Sequence, residues 1–269
     1  MTFLRVATWN LRTCRTREGD RFDLDRTAAT LRSLDADLVA LQEIDREQQR
    51  SGHIDQARAL AEALATSWHF APALLGQAEQ PSRWRRPEPG SDPGGPAYGI
   101  ALLSRLELES VETVALPRPE GRGEPRVALV ARVRAGGGRL TVAATHLSFL
   151  PRDGIRQLRR LQRHLAGTPA PRLLLGDLNL WLPVVRLVSL PGWRPLVRGA
   201  TFPNLPPGTM RPSVQLDHVL AAAGSELRVR RTRIAAGPIS DHRAAVVDLE
   251  VGEVGGLGGS AQAGRSNHA

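Results

Sequence analysis

The sequence predicts an α/β fold of packed mixed sheets covered by helices. Short apolar segments of strand character recur from Leu4 to Val251, and three intervening segments carry apolar residues at helical spacing. Gly136-Gly137-Gly138 joins two of the strand-like runs as a hairpin. Strands mixed with a few helices pack most simply as layered sheets with helices outside. The 269 residues suit one domain, spanning 1–251. A chain of this length buries roughly 70–75% of its unfolded surface and folds without disulfides.

The elements follow in order. Leu4–Asn10 is apolar and partly β-branched, and opens as a strand ending at Trp9-Asn10. Leu24, Ala28, Leu31 and Leu34 share a helix face behind Asp23, a suitable N-cap. Leu38–Glu43 is the next strand, Ala57, Leu60, Ala61 and Leu64 the next helical stripe, and Trp68–Ala71 a short strand. Strand-like runs then fall at Tyr98–Ser104, Val111–Leu116, Val127–Arg134 and Leu140–Leu147. Ile155, Leu158, Leu161 and Leu165 mark a third helix, with Arg156, Arg160 and Arg163 on its outer face. Arg172–Leu175 reads as a buried strand ending in Gly176-Asp177, followed by a Pro-broken apolar segment at Leu182–Leu190. Strands return at Val214–Leu220, Leu227–Ile234 and Ala244–Val251. No repeat of 20–50 residues is visible.

Two stretches lack periodicity. Residues 76–97 hold five prolines and four glycines, a density of breakers that predicts a long loop. Residues 252–269 are rich in Gly, Ser and Ala and predict a disordered tail.

Composition excludes several classes. The single cysteine, Cys14, rules out a disulfide framework and a Cys-rich zinc module. No apolar run is long enough to cross a membrane, and the first residues lead straight into a strand. A cytoplasmic monomer with no obligate protein partner is therefore expected. The net charge is +9, and all 36 basic residues are arginine. That balance favours anionic partners, although the absence of lysine, with high Ala, Gly, Pro and Leu, looks more like coding bias than selection for one ligand.

Polar residues cluster at strand ends: Asn10, Glu43, His146, Asp177 with Asn179, Asp217 with His218, and Asp241 with His242. Ligand sites of layered α/β proteins gather where strands meet loops, and these oxygen-rich groups suit Mg²⁺ or Mn²⁺. Each has an ordinary alternative. Asn10 can cap a turn, Glu43 can belong to a charged loop, and Asp177-Leu178-Asn179 is common turn chemistry. His146 shares strand parity with Leu140, Val142 and Ala144, as a core histidine would, and Asp241 can sit in a solvated turn.

The ordered set Trp9-Asn10, Leu41-Gln42-Glu43, Thr145-His146-Leu147, Gly176-Asp177-Leu178-Asn179, Leu216-Asp217-His218 and Ser240-Asp241-His242-Arg243 resembles the endonuclease/exonuclease/phosphatase superfamily. The resemblance runs from residue 4 to about 250. It implies a four-layer α/β sandwich, two mixed sheets face to face with helices outside, like deoxyribonuclease I. It also implies a metal held by Asn10 and Glu43 with Asp241 close by. Asp177 would orient or deprotonate the attacking water, and Asn179 and His146 would hydrogen-bond the scissile phosphate. His242 would stabilise the phosphoryl oxygens, oriented by Asp217. The chain departs from the family pattern at Arg12, where nucleases often carry an acid, and at Ile100, where Asn is common. His146 stands where apurinic endonucleases use Tyr, which points away from that branch.

The expectation is a Mg²⁺- or Mn²⁺-dependent phosphoester hydrolase. A phosphodiesterase acting on nucleic acid ranks first; a phospholipid, sphingomyelin or small-molecule phosphoester comes second. A non-catalytic anion-binding module is the rival of another class. The nucleic-acid reading leans on Arg83, Trp84, Arg85 and Arg86, an aromatic flanked by positive charge that suits a single strand. A solvated Pro/Gly loop is the plain alternative there.

Overall fold

The computed structural model describes residues 2–88, 91–118, 124–206, 208–209, 211–224 and 227–252. The first elements are β1 (Thr2–Asn10), α1 (Leu24–Leu34), β2 (Leu38–Arg46), α2 (Gln56–Leu64), β3 (Ser67–Leu75) and β4 (Ala97–Ser104). Next come β5 (Leu108–Ala115), β6 (Val127–Ala135), β7 (Gly138–His146), α3 (Pro151–Ala166) and β8 (Arg172–Asp177). Then follow α4 (Leu182–Val188), β9 (Trp193–Pro195), β10 (Asp217–Ala222), β11 (Leu227–Ala235) and β12 (Ala244–Val251).

The strands form two six-stranded sheets, ordered β11-β12-β1-β2-β4-β3 and β5-β6-β7-β8-β10-β9. The β1–β2 and β7–β8 pairs are parallel, which makes both sheets mixed. Period-two alternation sets the layers. Leu4 and Val6 of β1 and Leu38 and Ala40 of β2 point between the sheets, where they meet Leu129, Val142, Leu173 and Leu175. The alternate residues Ala7, Trp9, Val39 and Leu41 face outward onto Leu31 of α1 and Leu60 of α2. On the other sheet Ala143, Leu174 and Leu220 face outward onto Leu158, Leu161 and Leu165 of α3 and Val185 of α4. The result is the expected four-layer sandwich. Strands buried on both faces need nearly continuous apolar sequence, which is why Leu173-Leu174-Leu175 reads as it does.

Local chemistry explains the helices. Asp23 caps α1 by accepting from the Arg26 amide, and Asp55 caps α2 from Arg58. The Leu182–Leu190 segment is helical over Leu182–Val188, because Pro183 sits in the first turn, where its missing N–H has no partner to lose. The third strand is longer than Trp68–Ala71, and the tenth begins only at Asp217, Val214 making an isolated bridge to Phe202.

The 76–97 stretch is mostly irregular, but it is tied down. Residues Pro81–Arg83 make one 3₁₀ turn, and Arg85 exchanges backbone hydrogen bonds with Leu75 at 2.8 and 3.0 Å. Arg46 grips Asp92 with two bonds of 2.5 and 2.7 Å. The expected disordered tail lies outside the described residues, except for Gly252.

Element order repeats once. β1-α1-β2-α2-β3-β4 is followed by a hairpin, β5-β6, and β7-α3-β8-α4-β9-β10 by another, β11-β12. Each hairpin joins the sheet of the other half, since β6 pairs with β7 and β12 with β1.

Candidate active site

The stripe of side chains facing the inter-sheet core turns polar at one end of the sandwich. On β1 it runs Leu4, Val6, Thr8, Asn10; on β7 Leu140, Val142, Ala144, His146; on β8 Leu173, Leu175, Asp177. Pairing register sets Asp177 opposite His146 on one side and Asp217 on the other. Gly176 permits this closeness, because a Cβ there would lie 2.0 Å from the Thr145 carbonyl oxygen. His242 enters just before β12, where Trp9 Nε1 donates to its carbonyl at 3.0 Å. Asn10, His146, Asp177, Asp217 and His242 are each at most 6% exposed.

Glu43 arrives differently. The β2–β4 register shifts between Gln42 and Ile44, leaving Glu43 in a bulge with φ of 56°. Bulges re-aim side chains next to active sites. Arg12, Thr13, Cys14, Asn179 and Ser240 also have positive φ, between 47° and 63°. Such conformations cost on the order of 1–3 kcal/mol each and persist only where surroundings impose them. Here the surroundings are the site itself. Asp177 Oδ1 accepts from the Asn179 amide at 2.9 Å, Asn10 Oδ1 from the Arg12 amide at 3.0 Å, and Ser240 Oγ donates to the Asn10 carbonyl at 2.6 Å. Nothing in the sequence announces this strain, apart from the tolerance of Asn for left-handed backbone.

The side chains form one network. Asn10 Nδ2 donates to Glu43 Oε1 at 2.9 Å and to Asp177 Oδ2 at 3.0 Å. His242 Nδ1 lies 2.8 Å from Asp217 Oδ2, and its Nε2 lies 3.8 Å from Asp177 Oδ2. His146 Nε2 is 3.6 Å from the same Asp177 oxygen, and Asn179 Nδ2 donates to the Leu147 carbonyl at 2.9 Å. Burial and the neighbouring Asp217 raise the Asp177 pKa, against the pull of His242. Burial alone would lower the His242 pKa, but Asp217 and Asp177 outweigh it and raise it, favouring the charged ring. Burial, Arg126 and His242 all lower that of His146.

The donor set bears on a cation. Two carboxylates, Glu43 and Asp177, converge on the Asn10 amide within 3.0 Å, and all three offer hard oxygen atoms. Those residues fit Mg²⁺ or Mn²⁺. Asp177, Asp217 and His242 also lie within 4.8 Å of one another. That group offers a second set of potential ligand atoms beside the first. Asp241 sits at the edge, its Oδ2 3.9 Å from Arg12 Nε, and Arg12 also pairs with Asp20 at 3.2 Å.

Beside Glu43 opens a cleft of about 330 Å³, whose lining includes Arg12, Arg50, Tyr98, Trp84 and Glu124. Trp84 is anchored there, its Nε1 donating to the Gln77 carbonyl at 2.7 Å. Arg83, Arg85 and Arg86 are exposed but do not line the cleft. Tyr98, near the start of β4, and Arg126, just before β6, are site neighbours that sequence reasoning does not assign to the site.

His218 is not part of the site. It faces outward on β10, with Nε2 donating to the Leu180 carbonyl at 2.9 Å and Nδ1 3.3 Å from Gln215 Nε2. Burial pushes its pKa down to about 4 from its usual 6.5. The unfolded chain therefore takes up a proton that the fold rejects. This contribution to stability is complete above about pH 6.5 and is lost as pH falls towards about 4. Between about pH 7 and pH 5 the loss is about 2 kcal/mol. Urea unfolding of wild type and His218→Gln at both pH values checks this: the pH penalty should be smaller in the variant by that amount. An equal penalty would remove His218 as its source.

Two face-to-face mixed sheets thus carry carboxylates, amides and imidazoles on adjoining strand ends. The chain belongs to the endonuclease/exonuclease/phosphatase family of phosphoester-hydrolysing enzymes, whose model matches residues 7–242. Its fold is similar to an endonuclease/exonuclease/phosphatase from Beutenbergia cavernae, with 25% identity and a TM-score of 0.73 over 94% of this chain and 72% of that one. It is also similar to TDP2 of D. rerio in complex with a single-strand DNA product (19% identity, TM-score 0.66, 93% and 100% covered). The mannosyl-6-phosphatase Bt3783 of Bacteroides thetaiotaomicron is a third similar structure (17%, TM-score 0.65, 92% and 99% covered). No curated protein matches the chain. Among the described residues, no helix is long and apolar enough to cross a membrane.

Proposed function

We propose that the protein is a divalent-metal-dependent phosphodiesterase acting on single-stranded nucleic acid. The observation that carries the substrate class is the cleft: one opening joins the Glu43 carboxylate to two aromatic side chains, Trp84 and Tyr98, and to Arg12, Arg15 and Arg50. A phosphate at Glu43 would then have the Trp84 ring beside it for a base, while Tyr98 already carries the Arg50 guanidinium 5.5 Å over its ring, the mix of aromatic and arginine that single-strand binders use.

Glu43 and Asn10 hold Mg²⁺ or Mn²⁺ in this reading, with Asp241 next to them. A bound divalent ion supplies Lewis acidity at the phosphoryl oxygens. Asp177, fixed by Asn10 and the Asn179 amide, accepts a proton from the attacking water; its raised pKa suits that task. Asn179 and His146 donate to the phosphoryl oxygens. His242, kept protonated by Asp217, faces the charge that builds as water adds.

Trp84→Ala should raise KM for a single-stranded oligonucleotide by about 5- to 150-fold, the equivalent of ~1–3 kcal/mol of base stacking. Turnover of bis-p-nitrophenyl phosphate should fall far less. Changing Arg83, Arg85 and Arg86 to Gln should flatten the salt dependence of that KM, by roughly 0.7–0.9 in log–log slope for each phosphate no longer neutralised. A KM indifferent to both variants would sink the nucleic-acid reading. The volume of the cleft favours a second reading, a small phosphoester, because about 330 Å³ matches one compact ligand. Faster turnover of sugar phosphates than of any oligonucleotide would establish it. A phospholipid or sphingomyelin substrate would instead reveal itself by rates that rise on vesicles.

A further inference from the structure

The two imidazoles of the site have opposite partners. His242 Nδ1 faces a carboxylate, Asp217, at 2.8 Å. His146 Nδ1 faces a guanidinium instead: Arg126 Nη1 lies 2.9 Å away. Arg126 directly precedes β6, is 5% exposed, and is held from behind by Glu124 at 3.2 Å from Nη2.

This contact fixes a proton. A guanidinium can only donate, so Nδ1 must accept, and the hydrogen of a neutral ring must then sit on Nε2. The neighbours of Nε2 leave that hydrogen unspent. Asn179 Nδ2 lies 3.1 Å away but is itself a donor: one of its hydrogens goes to the Leu147 carbonyl at 2.9 Å, and the other competes with the guanidinium for the single ring lone pair, a contest that the shorter, charge-assisted contact to Nδ1 wins. Turning that amide would set its oxygen against the carbonyl. Asp177 Oδ2, at 3.6 Å, is beyond hydrogen-bond reach. A buried N–H without an acceptor costs on the order of 1–3 kcal/mol, and this one is aimed at the place where the proposed substrate's phosphoryl group would lie.

We propose that Arg126 is a positioning residue that locks His146 in its Nε2–H tautomer, so that this N–H stands ready to donate to a phosphoryl oxygen. The inference rests on the phosphoesterase reading of the site for its substrate contact, but the tautomer itself is independent of any substrate. An Nδ1 that accepts from a guanidinium excludes a doubly protonated ring, so the geometry by itself requires the neutral form. The two imidazoles thus take opposite orientations from opposite partners, a guanidinium and a carboxylate.

Imidazole ¹⁵N NMR on the ligand-free protein reads the tautomer directly, with the His146 signals assigned from His146→Gln. Wild type should show a pyridine-like Nδ1 and a protonated Nε2. Arg126→Lys, which also only donates, should preserve that pattern and most of kcat on bis-p-nitrophenyl phosphate. Arg126→Met, made with Glu124→Gln so that no carboxylate is stranded and checked for native circular dichroism, should show mixed tautomers. Its kcat should fall by up to ~10²-fold, with KM changed much less, as for loss of one transition-state donor. A protonated Nδ1 in wild type would overturn the proposal. So would a Met variant with unchanged tautomer or unchanged kcat. An expected tautomer pattern in a protein that cleaves no phosphoester at all would instead count against the functional reading.

Discussion

His242→Ala is expected to lower kcat by ~10²–10³, the usual consequence of removing one strong transition-state donor. Asp217→Asn should cost a comparable amount, because its Oδ2 is what holds the ring, at 2.8 Å, and favours its charged form. The double variant should lose little more than His242→Ala alone, since groups acting as a unit are non-additive. Stability should separate the single variant from the double. Asp217 is fully buried and its Oδ1 has no hydrogen-bond partner among the described residues. Removing His242 therefore strands a buried carboxylate, a loss of about 3–5 kcal/mol by analogy with broken buried pairs. Converting Asp217 to Asn in the same chain should return part of it. A double variant that is more stable than His242→Ala but no more active identifies the pair. Additive activity losses, read in kcat at saturating substrate, would show two independent residues.

Chelation is the second large effect. Activity should vanish in EDTA and return with Mg²⁺ or Mn²⁺, because Glu43 and Asn10 bring hard oxygen donors together. Glu43→Gln keeps shape and removes charge. It should raise the Mg²⁺ concentration for half-maximal activity by more than the ~10–100-fold that follows loss of a group merely supporting a ligand. Titration of activity against free Mg²⁺ measures the shift. Full activity after chelation and dialysis would exclude the metal-dependent route.

Much of the fold is legible because burial on both faces writes itself into strands such as Leu173-Leu174-Leu175. Parity carries information too: His146 falls in step with Leu140, Val142 and Ala144, and that shared face is what brings it to the end of the inter-sheet core. The ordinary alternative for His146, a core histidine, is half right, for the ring is buried and in the site at once. What cannot be read is pairing across the chain. Nothing local says that Asn10 will meet Asp177, or that Asp217 will find His242, because sheet order and register decide those contacts. Arg126 looks like any other arginine, and only the β6–β7 pairing gives it His146. The bulge at Glu43 is also hidden, since Leu41-Gln42-Glu43-Ile44 contains no glycine to signal a left-handed residue.

The exchanged hairpins have a consequence for how the protein comes into being. β1 emerges from the ribosome before every other described strand, yet its partner β12 emerges after all of them, and Thr2 pairs with Val251. Until then one edge of β1 has open hydrogen-bonding groups, a template for wrong pairing. Closing so long a span is slow, because the entropy of distant contacts must be met before they stabilise anything. The same event seats His242 beside Asp177 and completes the site. His242, which lies just before β12, reaches the other site residues only through that last pairing. Under the proposed mechanism hydrolytic activity would therefore appear only once β12 has docked on β1.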